Sequence, residues 1–446
     1  MPDVRWPQLA ATLLSLCTLA ASRGTSESTS PLRLRLSDAL TIAKTRHLDV
    51  LVGSERIQQA LAQLGQARSV LFPQVTAAAS ETRQTRNLEA SGITLPGRDP
   101  LVGPFNAFDA RIRLSQTLFD VTAIERLRAA RAGRALSLAE YDRVRQDALA
   151  LVATLYLDAA RAARRLELAH ALLTRDAERL RIASARNTNG TGSPLELKQA
   201  ESVLAQSLHQ WHAAGADAIE RRLDLTAALG LPTSQPILFI EEEPVEDESL
   251  PSQRDVLAHA SEHPQVESAR TLMRQRRAER AAESAAVLPR VTVNADYGAS
   301  GKDLGDSEQT YTVGAQVSMP IFEGGLTRAR IREADSAVRE SEVRLKDAEV
   351  HVEANALSAM ESVHQARAMV QAAEMALDVS TKTLAIVRHR RQSGLGSDLE
   401  VTDALAEAAS ARDQHDEALT TYRLAQVNLA HATGQMETLT KESRVP

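Results

Sequence analysis

Two stretches of this 446-residue chain, 120–188 and 325–392, contain no proline and almost no glycine. Both are dense in Ala, Leu, Arg and Glu, which favour helix. At about 1.5 Å per residue, a helix of roughly 68 residues reaches about 100 Å. Propensity alone does not hold a helix of that length; it has to pack against others along its whole course. The composition agrees. With 2 Trp, 5 Tyr and 6 Phe, the chain lacks the large residues of an ordinary enzyme core and relies on Ala, Leu and Val. The formal net charge of −6 gives no sign of a nucleic-acid binder.

Each long stretch ends in a glycine-rich turn and returns. "RNTNGTGSPLELKQAE" (186–201) parallels "RRQSGLGSDLEVTDAL" (390–405), and the returning helices stop at Gly230 and Gly434. Upstream, helices that stop at Pro73 and Pro289 turn into alternating segments. The offsets between these parallels agree: 322 − 119 = 203 for the two Phe of "TLFD" and "PIFE", and 394 − 190 = 204 for the turn glycines. The chain is an internal duplication. Its expected organisation is a first repeat at 33–235, an acidic Pro-containing connection at 236–253, a second repeat at 254–435 and a tail at 436–446. Each repeat reads helix, strand, loop, strand, very long helix, Gly turn, helix.

The strands are expected at about 74–86 and 106–118, across a Pro- and Gly-rich loop, and at about 290–300 and 309–319. One face carries Ala110, Ile112, Leu114 and Leu118, or Val291, Val293, Ala295 and Tyr297. The other carries Asp109, Arg111, Arg113 and Ser115, or Arg290, Thr292, Asn294 and Asp296. A half-buried sheet in a soluble sandwich would show the same alternation, but two hairpins are too few for a sandwich core. Strands of about ten residues, apolar outside and charged inside, also build transmembrane barrels. Four strands do not close a barrel; several protomers giving four each would. In that reading Val291, Val293, Tyr311, Val313 and Val317 face lipid. Pro320, Phe322, Gly324 and Gly325 then mark the turn where a strand leaves the barrel for the long helix.

Residues 9–21, "LAATLLSLCTLAA", are uncharged and apolar, too short to span a bilayer, and followed by small residues. They read as a signal peptide over 1–22, with a buried N-terminal helix as the alternative. Cys17, the sole cysteine, lies inside it; lipidation there is an alternative that the bulky Leu16 disfavours. No run of eighteen apolar residues occurs elsewhere, so an exported chain of this kind is either soluble or spans as a barrel. No catalytic, metal or cofactor motif is present: no H-E-x-x-H, and no phosphate-binding loop, since "GTGS" (190–193) follows a helix rather than a strand. "RHRR" (388–391) reads as a solvated helix end. Glu400, Asp403 and Glu407 stand at i, i+3 and i+7, one acidic stripe that an exposed helix face would also show.

Taken in order and twice over, these segments resemble the TolC family of outer membrane efflux proteins across about 33–435. "LRLSDALTIAKTRHLDVLVG" resembles the family's opening, although Arg46-His47-Leu48 departs from its Asn-Pro pattern, and "EHPQV" (262–266) keeps the Pro. "LFPQV" and "LPRV" match the helix-to-strand turns, "SMPIFEGGLTRARI" the strand-to-helix turn, and "RRQSGLGSDLEVTDALAEA" the helix-tip signature. The resemblance implies a mainly α fold with a small β part, a homotrimer in the outer membrane of a Gram-negative bacterium. Its twelve strands would form one barrel in outer membrane lipid, and its helices a tunnel across the periplasm. It further implies that Glu400 and Asp403 ring the periplasmic entrance; the first repeat has Glu196 and Gln199 at those places. The tips, with Arg186, Gly190 and Gly192 and with Arg390, Gly394 and Gly396, resemble segments that dock a periplasmic adaptor. The expected function is a passive conduit of a tripartite efflux pump or type I secretion system, driven by an inner-membrane transporter. A soluble periplasmic scaffold or adaptor without a pore is the alternative.

Overall fold

The computed structural model describes residues 31–92, 97, 99–240 and 251–440; the expected signal peptide with Cys17 and the acidic stretch 241–250 lie outside them. Short β1 (Leu32–Leu34) and α1 (Leu36–Arg46) lead into α2 (Leu48–Ser69) and the hairpin of β2 (Gln74–Asn87) and β3 (Leu101–Phe119). Next, α3 (Val121–Thr188) runs 68 residues to a turn and returns as α4 (Pro194–Ala228). After β4 (Ile237–Phe239) the order recurs: α5 (Gln253–Ser261), α6 (Pro264–Ala285), β5 (Arg290–Gly301), β6 (Ser307–Ser318), the 67-residue α7 (Leu326–Gln392) and α8 (Asp398–Ala432). Counterparts match in length: α2 and α6 have 22 residues each, α4 and α8 have 35 each. Among the described residues no helix is long and apolar enough to cross a membrane.

Each long helix is packed along its length, as physics requires of it. Toward the turns, α4 lies against α3 and α8 against α7; toward the sheet, α2 and α6 flank α3, and α6 also packs on α7. The seams are lined by small residues seven apart. Ala404, Ala411, Ala418 and Ala425 are buried along α8, and Val352, Ala359 and Ala366 along α7. On α3 the same spacing gives Ala162, Ala169, Asp176 and Ala183. A strict seven-residue repeat is shorter than two full helical turns, so the helices wind around each other left-handedly to keep it facing inward. The returning helices meet the sheet-side helices end to end. A side chain added at Gly230, past α4, would lie 3.2 Å from the Arg46 carbonyl oxygen beside the start of α2. One added at Gly434, past α8, would lie 2.9 Å from the Pro264 ring at the start of α6.

The largest apolar core girdles α3 at this level and includes Leu34, Leu40, Leu149, Val152, Leu225 and Met436. There β1 pairs in parallel with β4, and Tyr156 Oη sits 3.1 Å and 3.2 Å from the carbonyl oxygens of Leu34 and Ile240. The stretch expected to connect the repeats and the one expected as a tail therefore both take part in the core. The segment 236–253 opens with a strand, and 436–446 opens with Met436, fully buried.

The second sheet has the order β2-β3-β5-β6, all antiparallel, with β2 and β6 as its edges. Directly opposed residues share a face, so Val75, Leu114, Ala295 and Val313 form one rung and Ala77, Ile112, Tyr297 and Tyr311 the next. This apolar face is the exposed one: Val75 is 65% exposed, Val313 70% and Tyr311 77%. Val317 is equally bare, whereas Val291 and Val293 are half-buried. The charged face is sheltered at its centre, while Arg113, Arg290, Asn294 and Thr312 are exposed. Arg111 donates to Asp109 in its own strand and reaches Asp296 across β5 at 2.8 Å, with its side chain 19% exposed.

Two local expectations change. The first loop is shorter than its Pro and Gly content predicts, because β3 already begins at Leu101 and runs through Gly103-Pro104. The pairing shifts register between Gln84 and Arg86 at that point, and an irregular rung tolerates a proline that a regular ladder does not. The simple alternation also fails near the end of β3. The register shifts between Thr117 and Phe119, which takes Leu118 out of the rung pattern.

Candidate functional site

The helix turns are built the same way in both halves. Gly190 and Gly394 each have φ +73°, the left-handed conformation that a side chain disfavours. After α3 the amides of Thr191 and Gly190 donate to the carbonyls of Arg186 (2.9 Å) and Asn187 (3.1 Å). After α7 those of Leu395 and Gly394 donate to Arg390 (2.9 Å) and Arg391 (3.1 Å). These bonds satisfy last-turn carbonyls that a helix otherwise leaves open. The next helix starts at once, capped by Ser193 on the Leu195 amide and by Ser397 on the Glu400 amide. Gly192 packs against the turn it follows; a side chain there would lie 2.9 Å from Arg186 Cβ. Gly396 is similarly placed, 3.3 Å from Glu400 Oε2.

Across each turn an arginine meets a glutamate ten residues later. Arg186 and Glu196 approach to 3.5 Å, Arg390 and Glu400 to 4.0 Å. Sequence reading places Glu400 with Asp403 as a pair of entrance carboxylates and leaves the arginines to the tips. Within the chain Glu400 also lies 4.0 Å from Arg390. Asp403, one turn further along α8, is exposed and has no ion-pair or hydrogen-bond partner among the described residues. Its counterpart 204 positions earlier is Gln199. The repeated Arg…Glu spacing was visible in both copies and is the signal that distinguishes a tip brace from a free carboxylate.

The strand-to-helix turn joins β6 to α7. Gly324 and Gly325 have φ of +61° and +88°, and Gly325 stands at the helix start without a side-chain cap. Ile321 and Phe322 project almost fully, 92% and 88% exposed. In the first half the same passage is made by Asp120, which caps α3 by accepting from the Ala123 amide at 3.1 Å.

Further along the hairpins, Asp176 is buried at 2% exposure on the α3–α4 seam, where it accepts from the Ser207 hydroxyl and from Arg175 Nε at 2.9 Å. Between the hairpins a cavity of about 2110 Å³ is lined by Trp211, His170, Tyr422, Arg412 and Asp416 among others. Among the described residues no cluster of three or more His, Cys, Asp or Glu could hold a metal ion.

The arrangement offers an exposed apolar sheet with two free edges, long helical hairpins and charged tips, which together suit a wall rather than a reaction centre. Known proteins have a similar sequence and fold. The profile of the family described as outer membrane efflux protein matches residues 39–231 and 258–435. Alkaline protease secretion protein AprF of Pseudomonas aeruginosa is 26% identical, over 75% of this chain and 71% of its own. Protein CyaE of Bordetella pertussis is also 26% identical, over 86% of this chain and 80% of its own. In structure, the CmeC outer membrane channel of Campylobacter jejuni superposes with a TM-score of 0.79 over 99% of this chain and 97% of that one, at 18% identity.

Proposed function

The chain belongs to the outer membrane efflux protein family, and we propose that three copies assemble into one conduit whose charged tips face the inside of the cell. It resides in the outer membrane, extends into the periplasm and serves efflux or secretion as a channel. The observation that carries the trimer is the bare apolar face around Val75, Tyr311 and Val313, on a sheet whose edges β2 and β6 are unpaired. In hydrocarbon every backbone polar group needs a partner, so a four-stranded sheet has to join others until its edges close. Pairing β6 of one copy with β2 of the next closes at twelve strands when three copies meet. A soluble scaffold would turn its apolar face inward, and this sheet does not.

The tips then present Arg186, Gly190 and Gly192, and Arg390, Gly394 and Gly396, to a periplasmic adaptor. An inner-membrane transporter supplies the energy. Asp403, repeated threefold, forms the acidic ring of the entrance, with Glu400 contributing less because Arg390 offsets it. Like charges held around a narrow opening repel one another and attract cations. Sedimentation in mild detergent is expected to give a trimer, and a monomer would overturn the assembly. In planar bilayers Asp403→Asn should shift the reversal potential toward anions and weaken block by divalent cations. Glu400→Gln should do so less, and Glu407→Gln least. Unchanged selectivity in the Asp403 variant, with normal trimer yield, would return that stripe to an ordinary solvated face.

A further inference from the structure

The two places where helices stack end to end are both opened by a histidine. His47 starts α2 and His263 starts α6, positions usually filled by Ser, Thr, Asp or Asn. In each, imidazole Nδ1 accepts from a first-turn amide: Asp49 at 3.3 Å, Gln265 at 3.1 Å. Both residues are buried, at 6% and 4% exposure. His263 does more. Its Nε2 lies 3.0 Å from the carbonyl oxygen of His431, in the last turn of α8. One ring thus closes two helix ends, and this fixes its tautomer: Nε2 carries the proton toward a carbonyl, and Nδ1 stays bare toward an N–H. A second proton would have to sit on Nδ1, against the Gln265 amide and the positive end of α6.

The surroundings offer that second proton little support. From α8, the His431 ring stands edge-on at 6.2 Å between centroids, but its Nε2 is turned 2.9 Å to Asp147 of α3. Asp147 is also held by Arg143 at 2.7 Å; burial would raise its carboxyl, yet His431 and Arg143 keep it below the usual range. From α7 the nearby side chains Asn355, Ser358 and Ser362 carry no charge. Beside the ring in sequence are Glu262 and then Glu267, which is tied to Arg270 and Arg274. Burial pushes the His263 imidazole below its ordinary value, against the opposing pull of the His431 carbonyl and Asp147. A cavity of about 280 Å³, lined by His263, Asn355, Asn428 and His431, gives water a polar approach to the ring.

We propose that His263 is an acid-released splice: neutral, it joins α8 to α6, and protonated, it leaves the α6 cap and lets the joint open. The inference concerns one joint within the chain and does not depend on the conduit reading. Because the folded ring binds a proton less readily than the unfolded one, its contribution is complete above the ordinary imidazole value of about 6.5 and is lost as pH falls below that, through the lower folded value.

The test is amide hydrogen exchange by mass spectrometry on the full-length protein, between about pH 7.5 and about pH 5.5, a range that spans imidazole titration. After correction for intrinsic rates, opening at the first turn of α6 and the last turn of α8 should grow up to about tenfold per pH unit below the ordinary imidazole value. His263→Asn, a good cap that does not titrate, should remove that growth, and His47→Asn should leave it at this joint. Acid-independent opening in the unaltered protein, or growth that persists in His263→Asn, would overturn the splice. Should that variant not fold, exchange at the His263 ring C2 position in the unaltered protein decides. A midpoint below the ordinary imidazole value is expected, and one at or above it refutes the proposal.

Discussion

The α3–α4 and α7–α8 hairpins reverse through the same hydrogen bonds, with the same left-handed glycine and an Arg–Glu brace across each turn. Their seams are filled differently. The first buries Asp176 against Ser207; the positions 204 residues later are Ser380 and Ala411, both buried and neither charged. Trp211 of α4 has His415 as its counterpart on α8, and Gln199 has Asp403. Where the copies agree, the backbone leaves no choice: a reversal needs its glycine and its caps. Where they differ, the side chain was free to be spent on something other than folding.

The sheet gives the largest test of how far the copies are equivalent. Val75 and Val313 share a rung at opposite edges, both outward and bare. Val75→Arg and Val313→Arg should each cost about 2–4 kcal/mol near the membrane midplane, while Thr312→Arg on the opposite, polar face should cost far less. Unfolding from lipid measures this, and a cheap Arg at only one edge would break the equivalence.

The seam comes next. Ser207→Ala leaves the Asp176 carboxylate without its hydroxyl and should cost about 1–3 kcal/mol in denaturant unfolding. Copying the second seam into the first, Asp176→Ser with Ser207→Ala, should be neutral or stabilising, because a buried charge no longer has to be desolvated. A large loss in that double variant would mean the carboxylate has a further role. The smallest effect is expected at the turns, where Gly190→Ala and Gly394→Ala should each cost roughly 1 kcal/mol. Equal shifts in midpoint would sharpen the shared plan, and unequal ones would show one tip relaxing more easily.

Much of this was legible in the sequence because it rests on local rules. Absence of proline over 120–188 and 325–392 announced the long helices, and alternation over 290–300 and 309–319 announced the second hairpin within two residues. The first hairpin was harder. Gly103-Pro104 reads as loop, and only its partner strand's register shift makes room for it in a strand. Of the entrance carboxylates, spacing gave the stripe but not the partner, since the Glu400–Arg390 contact depends on how the turn folds back. The buried pair at 176 and 207 and the histidine contact join residues far apart in sequence; the seven-residue repeat places Asp176 on a seam but does not name its partner.

The length of the hairpins has a mechanical consequence. A 35-residue helix such as α8 is a rod of about 50 Å that moves together with α7, on which it packs. A tilt of such a hairpin by one degree at the joint end carries its tip sideways by about 0.9 Å, and ten degrees by about 9 Å, on the same rise per residue. The molecule therefore has a built-in gear ratio: adjustments at a joint too small to disturb its packing become displacements at the tip wide enough to change what fits between neighbours.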